Sequence, residues 1–327
     1  MGLSGRFDQF KGWMTSTMTR TMTGTAPDFI IVGAAKSGTT IVWEWLAEHT
    51  GIFMAPVKEP HYFCFADSRV PHVGGELDPF YRDSLVTDRA HYQSLWQGAA
   101  QGQLCGEASP GYLYYPEAAK RIAAANPACK VVAILRNPGP RAFSQFMHHV
   151  RDGYEPKGSF EKALAAEPAR IKKGWWWGFH YQNAGLYAAQ WQRYCEAFPE
   201  DQRLLLLHDD LVTDAGACYR QICAFLGLHP QSPNLARQVN EASAIARVPA
   251  PDHITHMLRH GNALTHLAHR LLPKNTARKL KWAILSLHTN PAPRFSSNTR
   301  AKLNAFYRPD IEALAKLTGR DLSAWLR

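Results

Sequence analysis

The stretch that decides the fold is residues 27–63, PDFIIVGAAKSGTTIVWEWLAEHTGIFMAPVKEPHYF. It opens with four apolar residues, 29–32, which predict a buried parallel strand. A turn of mostly small residues follows at 33–40, and apolar residues then recur at helical spacing. Small residues let backbone N–H groups converge on an anion, and the N-terminus of a helix adds the positive end of its dipole. The stretch therefore predicts a strand, a phosphate-binding loop and a helix.

This loop differs from the loop that binds nucleoside triphosphates. In the Walker pattern, G-x-x-x-x-G-K-[ST], a Lys directly follows the second Gly and the next hydroxyl binds Mg²⁺. Here Gly38 is followed by two threonines, and the Lys of the loop, Lys36, comes before Gly38. The spacing favours a phosphate-bearing ligand that Lys and hydroxyl groups hold without a metal.

The loop resembles the 5′-phosphosulfate loop of the sulfotransferases that use 3′-phosphoadenosine-5′-phosphosulfate (PAPS). In that family the sequence x-x-K-[ST]-G-[ST]-[ST] joins a strand to a helix. The resemblance implies that PAPS is the co-substrate, that no metal is required, and that PAPS is bound by Lys36, Ser37, Gly38, Thr39 and Thr40. It also implies that Lys36 stabilises the charge that grows on the leaving oxygen.

A second motif follows a later apolar run, residues 130–135, where the chain reads Arg136-Asn137-Pro138. An Arg at the carboxyl end of a parallel strand opens into the crevice where α/β proteins bind ligands. A Ser on the next helix can add a charge-assisted hydrogen bond to the same phosphate. The family places a Ser eight residues after this Arg, and the resemblance implies that Arg136 and Ser144 bind the 3′-phosphate of PAPS.

The motif Lys58-Glu59-Pro60-His61 supplies the candidate catalytic residues. Sulfuryl transfer needs a base for the acceptor proton and a cation near the leaving oxygen. The motif resembles one in the bacterial relatives of the heparan sulfate sulfotransferases, which implies that Glu59 is the general base. His61 is the rival base because its ordinary pKa lies near neutrality, although it can equally pack against its aromatic neighbours. Two interpretations are open for Lys58: its ammonium contacts the sulfonate of the donor, or it lies on the rim of the site.

Two further segments are candidates for the acceptor side of the site. Glu107 and Ser109 sit at the end of a brief predicted strand, and they either line the acceptor side or form the turn there. Residues 175–177 are three consecutive tryptophans. They suggest a lid or a wall for a sugar or lipid, but three adjacent side chains cannot all point one way, so at least one of them packs in the interior.

Alternation of apolar runs with helical patterns indicates an α/β fold, a single P-loop-containing domain with a central parallel sheet flanked by helices. We assign this domain to residues 27–327. Residues 1–26 are predicted to be a flexible N-terminal arm. Within the domain, residues 234–298 form a variable segment that is mostly helical or irregular, with no strand evident.

The composition indicates the cellular compartment of the protein and the kinds of ligand it binds. Of the 327 residues 46% are hydrophobic and 20% charged, values typical of a soluble globular protein. No apolar run of about 18 residues predicts a membrane span, and the six cysteines lack metal-ligand spacing. We therefore expect reduced thiols and a cytoplasmic, bacterial protein. The net charge of +10 fits an anionic ligand, and no nucleic-acid motif is present, so nucleic acid is not an expected partner.

The leading hypothesis is a sulfotransferase that moves the sulfuryl group from PAPS to an acceptor hydroxyl, metal-independently and in line. The acceptor is a carbohydrate, a lipid or another small metabolite. One alternative is a P-loop kinase or nucleotide phosphotransferase, for which Asp209 and Asp210 after a third apolar run are possible metal ligands. The other is a non-catalytic polyanion-binding module, which the net charge motivates.

Overall fold

The computed structural model describes residues 26–66, 70, 84–152, 154–235, 247–249 and 289–327. At its centre lies a five-stranded sheet in which every neighbouring pair of strands is parallel. In chain order the strands are β1 (Phe29–Gly33), β2 (Ile52–Met54), β3 (Leu104–Ala108), β4 (Lys130–Leu135) and β5 (Arg203–Leu207). Their order across the sheet is β2-β3-β1-β4-β5. The predicted α/β class is confirmed.

Helices cover both faces of the sheet. In chain order they are α1 (Thr39–Ala47), α2 (Tyr62–Phe65), α3 (Arg89–Ser94), α4 (Gly111–Tyr114), α5 (Ala118–Ala125), α6 (Pro138–Asp152), α7 (Phe160–Lys172), α8 (Tyr187–Ala197), α9 (His208–Thr213), α10 (Ala215–Leu226) and α11 (Ser297–Thr318). Alternate residues of β1 enter two different apolar clusters, since Ile30 packs in the cluster that contains Phe146 of α6, and Ile31 in the cluster that contains Trp45 of α1. Within the described residues, we find no helix with the length and apolar character needed to cross a bilayer.

A serine hydroxyl and two glycines cap helix ends in ways that their residue types explain. The Ser159 hydroxyl accepts a hydrogen bond from the backbone N–H of Lys162 and so caps α7, as expected for a Ser at that position. Gly227 and Gly319 end α10 and α11 with φ angles of 78° and 65°. Glycine adopts this left-handed conformation without steric cost, which is why it ends helices so often.

Helix α8 begins at Tyr187, where a distant side chain caps it. The Asp310 carboxylate on α11 accepts hydrogen bonds from the backbone N–H groups of Tyr187 and Ala188. A carboxylate at a helix N-terminus satisfies donors that have no partner inside the helix. The cap comes from a residue more than 120 positions away, so local periodicity could not locate this boundary.

The variable segment contains two short strands that the sequence did not predict. Strands β6 (Arg247–Pro249) and β7 (Thr289–Pro291) pair antiparallel. Each strand ends in Pro, and three residues are too few to show the period-two pattern of a strand. The expectation that no strand occurs here is therefore wrong. Residues 236–246 and 250–288, like the predicted N-terminal arm up to residue 25, lie outside the described residues.

The C-terminal segment packs against the end of β5. Leu322 and Trp325 are buried. The indole N–H of Trp325 donates to the Asp209 carboxylate at 3.0 Å, and the Arg320 guanidinium donates to the Asp210 carboxylate at 2.5 Å. Both strand-end aspartates that the kinase hypothesis invoked are thus engaged by side chains of the C-terminal segment.

Candidate active site

The phosphate-binding loop leaves β1 at Gly33 and enters α1 after Gly38. Gly38 has a φ of 95°, and a Cβ added there would come within 2.7 Å of the Leu211 side chain. Lys36 has a φ of 66°, in the left-handed region that non-glycine residues seldom adopt. Backbone conformations of this kind are concentrated at functional sites, where the surrounding structure enforces them.

The loop contains a buried hydroxyl suited to an anion. The Ser37 side chain is fully buried, and its oxygen has no hydrogen-bond partner among the described residues. Buried hydroxyl groups are normally paired, so an unpaired one at a helix N-terminus is available to a ligand. The first N–H groups of α1 also lack partners within the helix, and Thr40 in its first turn is exposed. The loop therefore fits a phosphate or sulfonate group.

Lys36 is half-buried and has a pKa lowered to about 8. Burial is the main cause, because it disfavours the charged ammonium, and the positive charge of Arg151 adds to it. The carboxylates of Glu59 and Asp152 oppose the shift. Lys36 therefore lies within electrostatic reach of Glu59, which brings the loop and the candidate base together.

Residues 58–63, called here the Glu59 turn, lie beside the phosphate-binding loop. The Lys58 ammonium donates to the Thr40 hydroxyl at 2.7 Å and lies 3.4 Å from Glu59 Oε1. On the other side, His61 Nε2 lies 3.5 Å from Glu59 Oε2. Lys58 thus links the candidate base to the loop that would hold the donor, and each oxygen of Glu59 has a nitrogen nearby.

Glu59 is buried, yet its pKa is lowered. Burial acts to raise the pKa, but the nearby His61 ring and the charge of Lys58 together outweigh it. Glu59 and His61 have φ angles of 58° and 51°, and with Lys36 they are the non-glycine residues at positive φ in the described part of the chain. The three candidate catalytic residues thus share an uncommon backbone conformation, and Glu59 is an ionised carboxylate at neutral pH.

His61 is completely buried. Its ring makes edge contacts with Tyr112, Trp176 and Trp177, with ring centroids 5.8–6.2 Å apart. Aromatic walls thus enclose the ring, and Glu59 stands beside its Nε2 atom. This arrangement suits a residue that orients Glu59, whereas Glu59 retains some exposure. Which of the two accepts the acceptor proton stays a prediction.

Of the three consecutive tryptophans, two pack in the interior. Trp176 and Trp177 are buried against His61, whereas Trp175 is only half-buried and lies under the Arg170 guanidinium, 4.9 Å from the ring centroid. The expectation that at least one of them packs in the interior is confirmed. The segment forms the back wall of the Glu59 turn.

Glu107 and Ser109 lie behind the Glu59 turn and are both fully buried. Glu107 Oε1 accepts hydrogen bonds from the hydroxyls of Tyr92, at 2.5 Å, and Tyr112, at 2.8 Å. Glu107 Oε2 accepts one from the Ser109 hydroxyl at 2.6 Å. Burial raises the pKa of Glu107, and the three hydroxyl donors oppose that shift. Contact of these two side chains with an acceptor stays a prediction, and their burial favours a role exerted through the turn.

Arg136 joins the end of β4 to the phosphate-binding loop. Its guanidinium donates to the backbone carbonyl of Lys36 at 3.2 Å, and the Tyr187 hydroxyl donates to the carbonyl of Arg136 at 3.1 Å. Ser144 lies on the buried face of α6. Arg136 is therefore placed at the loop, as the motif predicts, and the binding of a 3′-phosphate by these two residues stays a prediction.

Two residues near the site were missed by the sequence reasoning. Arg151 donates to His148 Nδ1 at 2.8 Å and to Asp152 at 2.7 Å. The pKa of His148 is lowered to about 4, chiefly by burial and next by the charge of Lys36. His148 and Arg151 follow Ser144 by four and seven residues, which places all three on one face of α6. That spacing was the signal available in the sequence.

Among the ranges given above, no group of three or more His, Cys, Asp or Glu side chains is arranged to hold a metal ion.

Known proteins with similar sequence or structure identify the family. The sulfotransferase domain family matches residues 26–245. The crystal structure of a sulfotransferase from Alicyclobacillus acidocaldarius is 31% identical, with a TM-score of 0.71, and the match covers 92% of this chain and 99% of that one.

Two curated human proteins are also similar. Bifunctional heparan sulfate N-deacetylase/N-sulfotransferase 3 is 25% identical over 309 residues, which is 92% of this chain and 31% of that protein. Heparan sulfate glucosamine 3-O-sulfotransferase 6 is 29% identical over 202 residues, which is 62% of this chain and 52% of that protein. The matches thus span about a third to a half of the length of these relatives. The family match and the full-length structural match together show that the chain belongs to the sulfotransferase domain family.

Proposed function

We propose that this protein transfers the sulfuryl group of PAPS to an acceptor hydroxyl by in-line attack, without a metal. The observation that carries the proposal is the position of Lys58, whose ammonium lies 2.7 Å from the Thr40 hydroxyl of the phosphate-binding loop and 3.4 Å from Glu59 Oε1, so that the loop containing Lys36 and the carboxylate of Glu59 lie side by side. A cation for the leaving oxygen and a base for the attacking hydroxyl are the two groups that this chemistry needs. Lys36 in the loop and Glu59 beside it are proposed to be these two groups.

The proposed donor site has two parts. The phosphate-binding loop holds the 5′-phosphosulfate through Lys36, Ser37, Gly38, Thr39 and Thr40. The Ser37 hydroxyl, for which the described part of the chain supplies no hydrogen-bond partner, supports this assignment. The 3′-phosphate is bound by Arg136 and Ser144. A guanidinium that already contacts the loop is well placed to neutralise a second phosphate of the same nucleotide. Two phosphate sites distinguish a 3′,5′-bisphosphate nucleotide from a triphosphate.

The proposed chemistry uses three charged side chains. Glu59 accepts the proton of the acceptor hydroxyl as its oxygen bonds to sulfur. Lys36 stabilises the negative charge that develops on the bridging oxygen as the bond between sulfur and that oxygen breaks. Lys58 contacts the sulfonate and keeps Glu59 beside the loop, while His61 orients the carboxylate from behind. The products are the sulfated acceptor and 3′,5′-bisphosphoadenosine.

For the acceptor, we propose a carbohydrate hydroxyl as the first class to test, with lipids and other small metabolites next. The curated relatives are named for heparan sulfate, which supports a glycan. We further propose a cytoplasmic location in a bacterium. The support is that all six cysteines are present as thiols, which suits a reducing compartment, and that the similar solved structure is bacterial.

The donor is tested by calorimetry with 3′,5′-bisphosphoadenosine and, separately, with ATP and Mg²⁺. We expect micromolar binding of the bisphosphate and binding of ATP that is at least about 100-fold weaker. Absence of bisphosphate binding at millimolar concentration, or tighter binding of ATP with Mg²⁺, contradicts the proposal and favours a phosphotransferase. Radiolabelled PAPS then allows acceptor classes to be screened, beginning with desulfated heparan oligosaccharides.

A further inference from the structure

Behind the Glu59 turn, three hydroxyl groups converge on the Glu107 carboxylate. They belong to Tyr92, Ser109 and Tyr112, and each donates its hydrogen to a Glu107 oxygen. The four side chains are all essentially buried, so no bulk water competes for these bonds. A carboxylate only accepts hydrogen bonds, and its presence therefore fixes the direction in which each hydroxyl hydrogen points.

Two of the three hydroxyls also accept a hydrogen bond from the Glu59 turn. The backbone N–H of His61 donates to the Ser109 hydroxyl at 3.1 Å, and the backbone N–H of Phe63 donates to the Tyr112 hydroxyl at 3.3 Å. A hydroxyl whose hydrogen is committed to Glu107 has its lone pairs free for these N–H groups. Glu107 is thereby connected to the turn through two hydroxyls.

We propose that Glu107 is a positioning residue, which fixes the Ser109 and Tyr112 hydroxyls as acceptors and thereby holds the Glu59 turn in the conformation needed for sulfuryl transfer. The inference rests on the proposed function only in taking sulfuryl transfer as the reaction that the turn serves. The turn needs such support because Glu59 and His61 both have positive φ angles, and such conformations persist only where their surroundings enforce them. A Gln at position 107 would present an amide donor to one hydroxyl and so oppose this arrangement.

Tyr92 provides a matched control. Its hydroxyl donates to the same oxygen of Glu107 as that of Tyr112 does. Neither of the two turn N–H groups described above donates to it. Tyr92→Phe and Tyr112→Phe therefore each remove one hydroxyl and one bond to Glu107 while keeping the ring. Only the second change also removes an acceptor from the turn.

The first test is hydrogen–deuterium exchange of the peptide covering residues 58–65, measured on the full chain. We expect Tyr112→Phe, Ser109→Ala and Glu107→Gln to speed amide exchange in this peptide at least about tenfold, and Tyr92→Phe to change it less than about twofold. Equal acceleration in Tyr92→Phe and Tyr112→Phe, or no acceleration in either, overturns the proposal. This measurement needs neither donor nor acceptor, so it remains decisive even if the proposed function fails.

The second test uses the enzyme kinetics, with radiolabelled PAPS and desulfated heparan oligosaccharide as the probe acceptor. We expect Tyr112→Phe and Glu107→Gln to lower kcat at least about tenfold. Their Kd for 3′,5′-bisphosphoadenosine and their KM for the acceptor should stay within about twofold of wild type. Tyr92→Phe should keep the wild-type kcat. A rise in acceptor KM at unchanged kcat would instead mean that Glu107 acts on acceptor binding, and would overturn the positioning role.

Discussion

Glu59 and Glu107 are both buried glutamates, and His61 and Ser109 separate them in space, yet their surroundings differ. Glu59 lies between the ammonium of Lys58 and the imidazole of His61. Glu107 lies among three neutral hydroxyl groups. The pKa of Glu59 is lowered because its neighbours outweigh burial, whereas the pKa of Glu107 is raised because burial outweighs its neighbours.

Burial by itself therefore does not assign a role to a carboxyl group in this protein. A buried carboxylate beside cations stays ionised and can take a proton during a reaction. A buried carboxylate among hydroxyls orients them and stabilises the backbone that they contact. In this account Glu59 takes part in the chemical step and Glu107 positions the turn that contains Glu59. Experiments can separate the two roles.

The largest expected effect is that of Glu59→Gln, which removes the proposed base and keeps its shape. We expect kcat for sulfuryl transfer to fall about 10²- to 10⁴-fold, the usual contribution of a general base. Binding of 3′,5′-bisphosphoadenosine should stay within about twofold of wild type, since the phosphate contacts are unchanged. Steady-state kinetics and calorimetry on the same preparation measure both.

His61→Asn serves as the companion to that variant. If His61 only orients Glu59, its replacement should cost less than the loss of Glu59 itself. A Glu59→Gln protein with near-wild-type turnover, together with an inactive His61→Asn protein, would transfer the role of base to His61 and remove the contrast between the two glutamates.

An intermediate effect is expected from the ionisation of Lys36. Because the pKa of Lys36 is lowered to about 8, the ammonium loses its proton as the pH rises through that value. The kcat/KM for PAPS reports ionisations of the free enzyme, so it should fall above pH 8, by about tenfold per pH unit. Lys36→Arg should abolish this decline, because a guanidinium stays charged over the whole range. The same decline in both proteins would assign it to another group.

The smallest effects are those on stability, and they should have opposite signs at the two glutamates. A lowered pKa in the folded state stabilises the protein above the ordinary value of about 4.3, and this contribution is lost as the pH falls through the lowered pKa. The stability difference between wild type and Glu59→Gln should therefore shrink in acid.

For Glu107 the pKa is raised in the folded state. Its contribution to folding stability is therefore present below about pH 4.3 and is lost as the pH rises through the raised pKa. The stability of wild type relative to Glu107→Gln should therefore decline with rising pH. Each unit of pKa shift corresponds to about 1.4 kcal/mol. Urea unfolding across this pH range measures both differences, and equal slopes for the two variants would contradict the contrast.

The sequence predicted those elements that a short stretch of residues is sufficient to specify. Strand β4 occupies residues 130–135 as expected, because a continuous apolar run is sufficient to specify a buried strand. The phosphate-binding loop lies between β1 and α1, as its small residues indicate. The family motif pointed to Lys36 and Glu59, and in the structure the charge of Glu59 acts on the pKa of Lys36, opposing its decrease.

Features that depend on distant contacts could not be predicted. The start of α8 at Tyr187 is set by Asp310 on another helix, and β6 pairs with a strand some 40 residues later. The environment of Glu107 is likewise assembled from three separate segments, since Tyr92 and the His61 backbone join it only in the folded chain. No window of the sequence contains these contacts, so the sequence alone left open whether Glu107 lines the acceptor side or forms the turn.

The ionisation of the two glutamates can be observed directly. Carboxyl ¹³C NMR of protein labelled at glutamate, with assignments from Glu59→Gln and Glu107→Gln, follows each group across a pH titration. The contrast predicts that the Glu59 signal titrates below the ordinary glutamate pKa and that the Glu107 signal titrates above it. A Glu59 signal that titrates above the ordinary value, or two signals that shift in the same direction, would contradict the assignment of chemistry to one carboxyl group and positioning to the other.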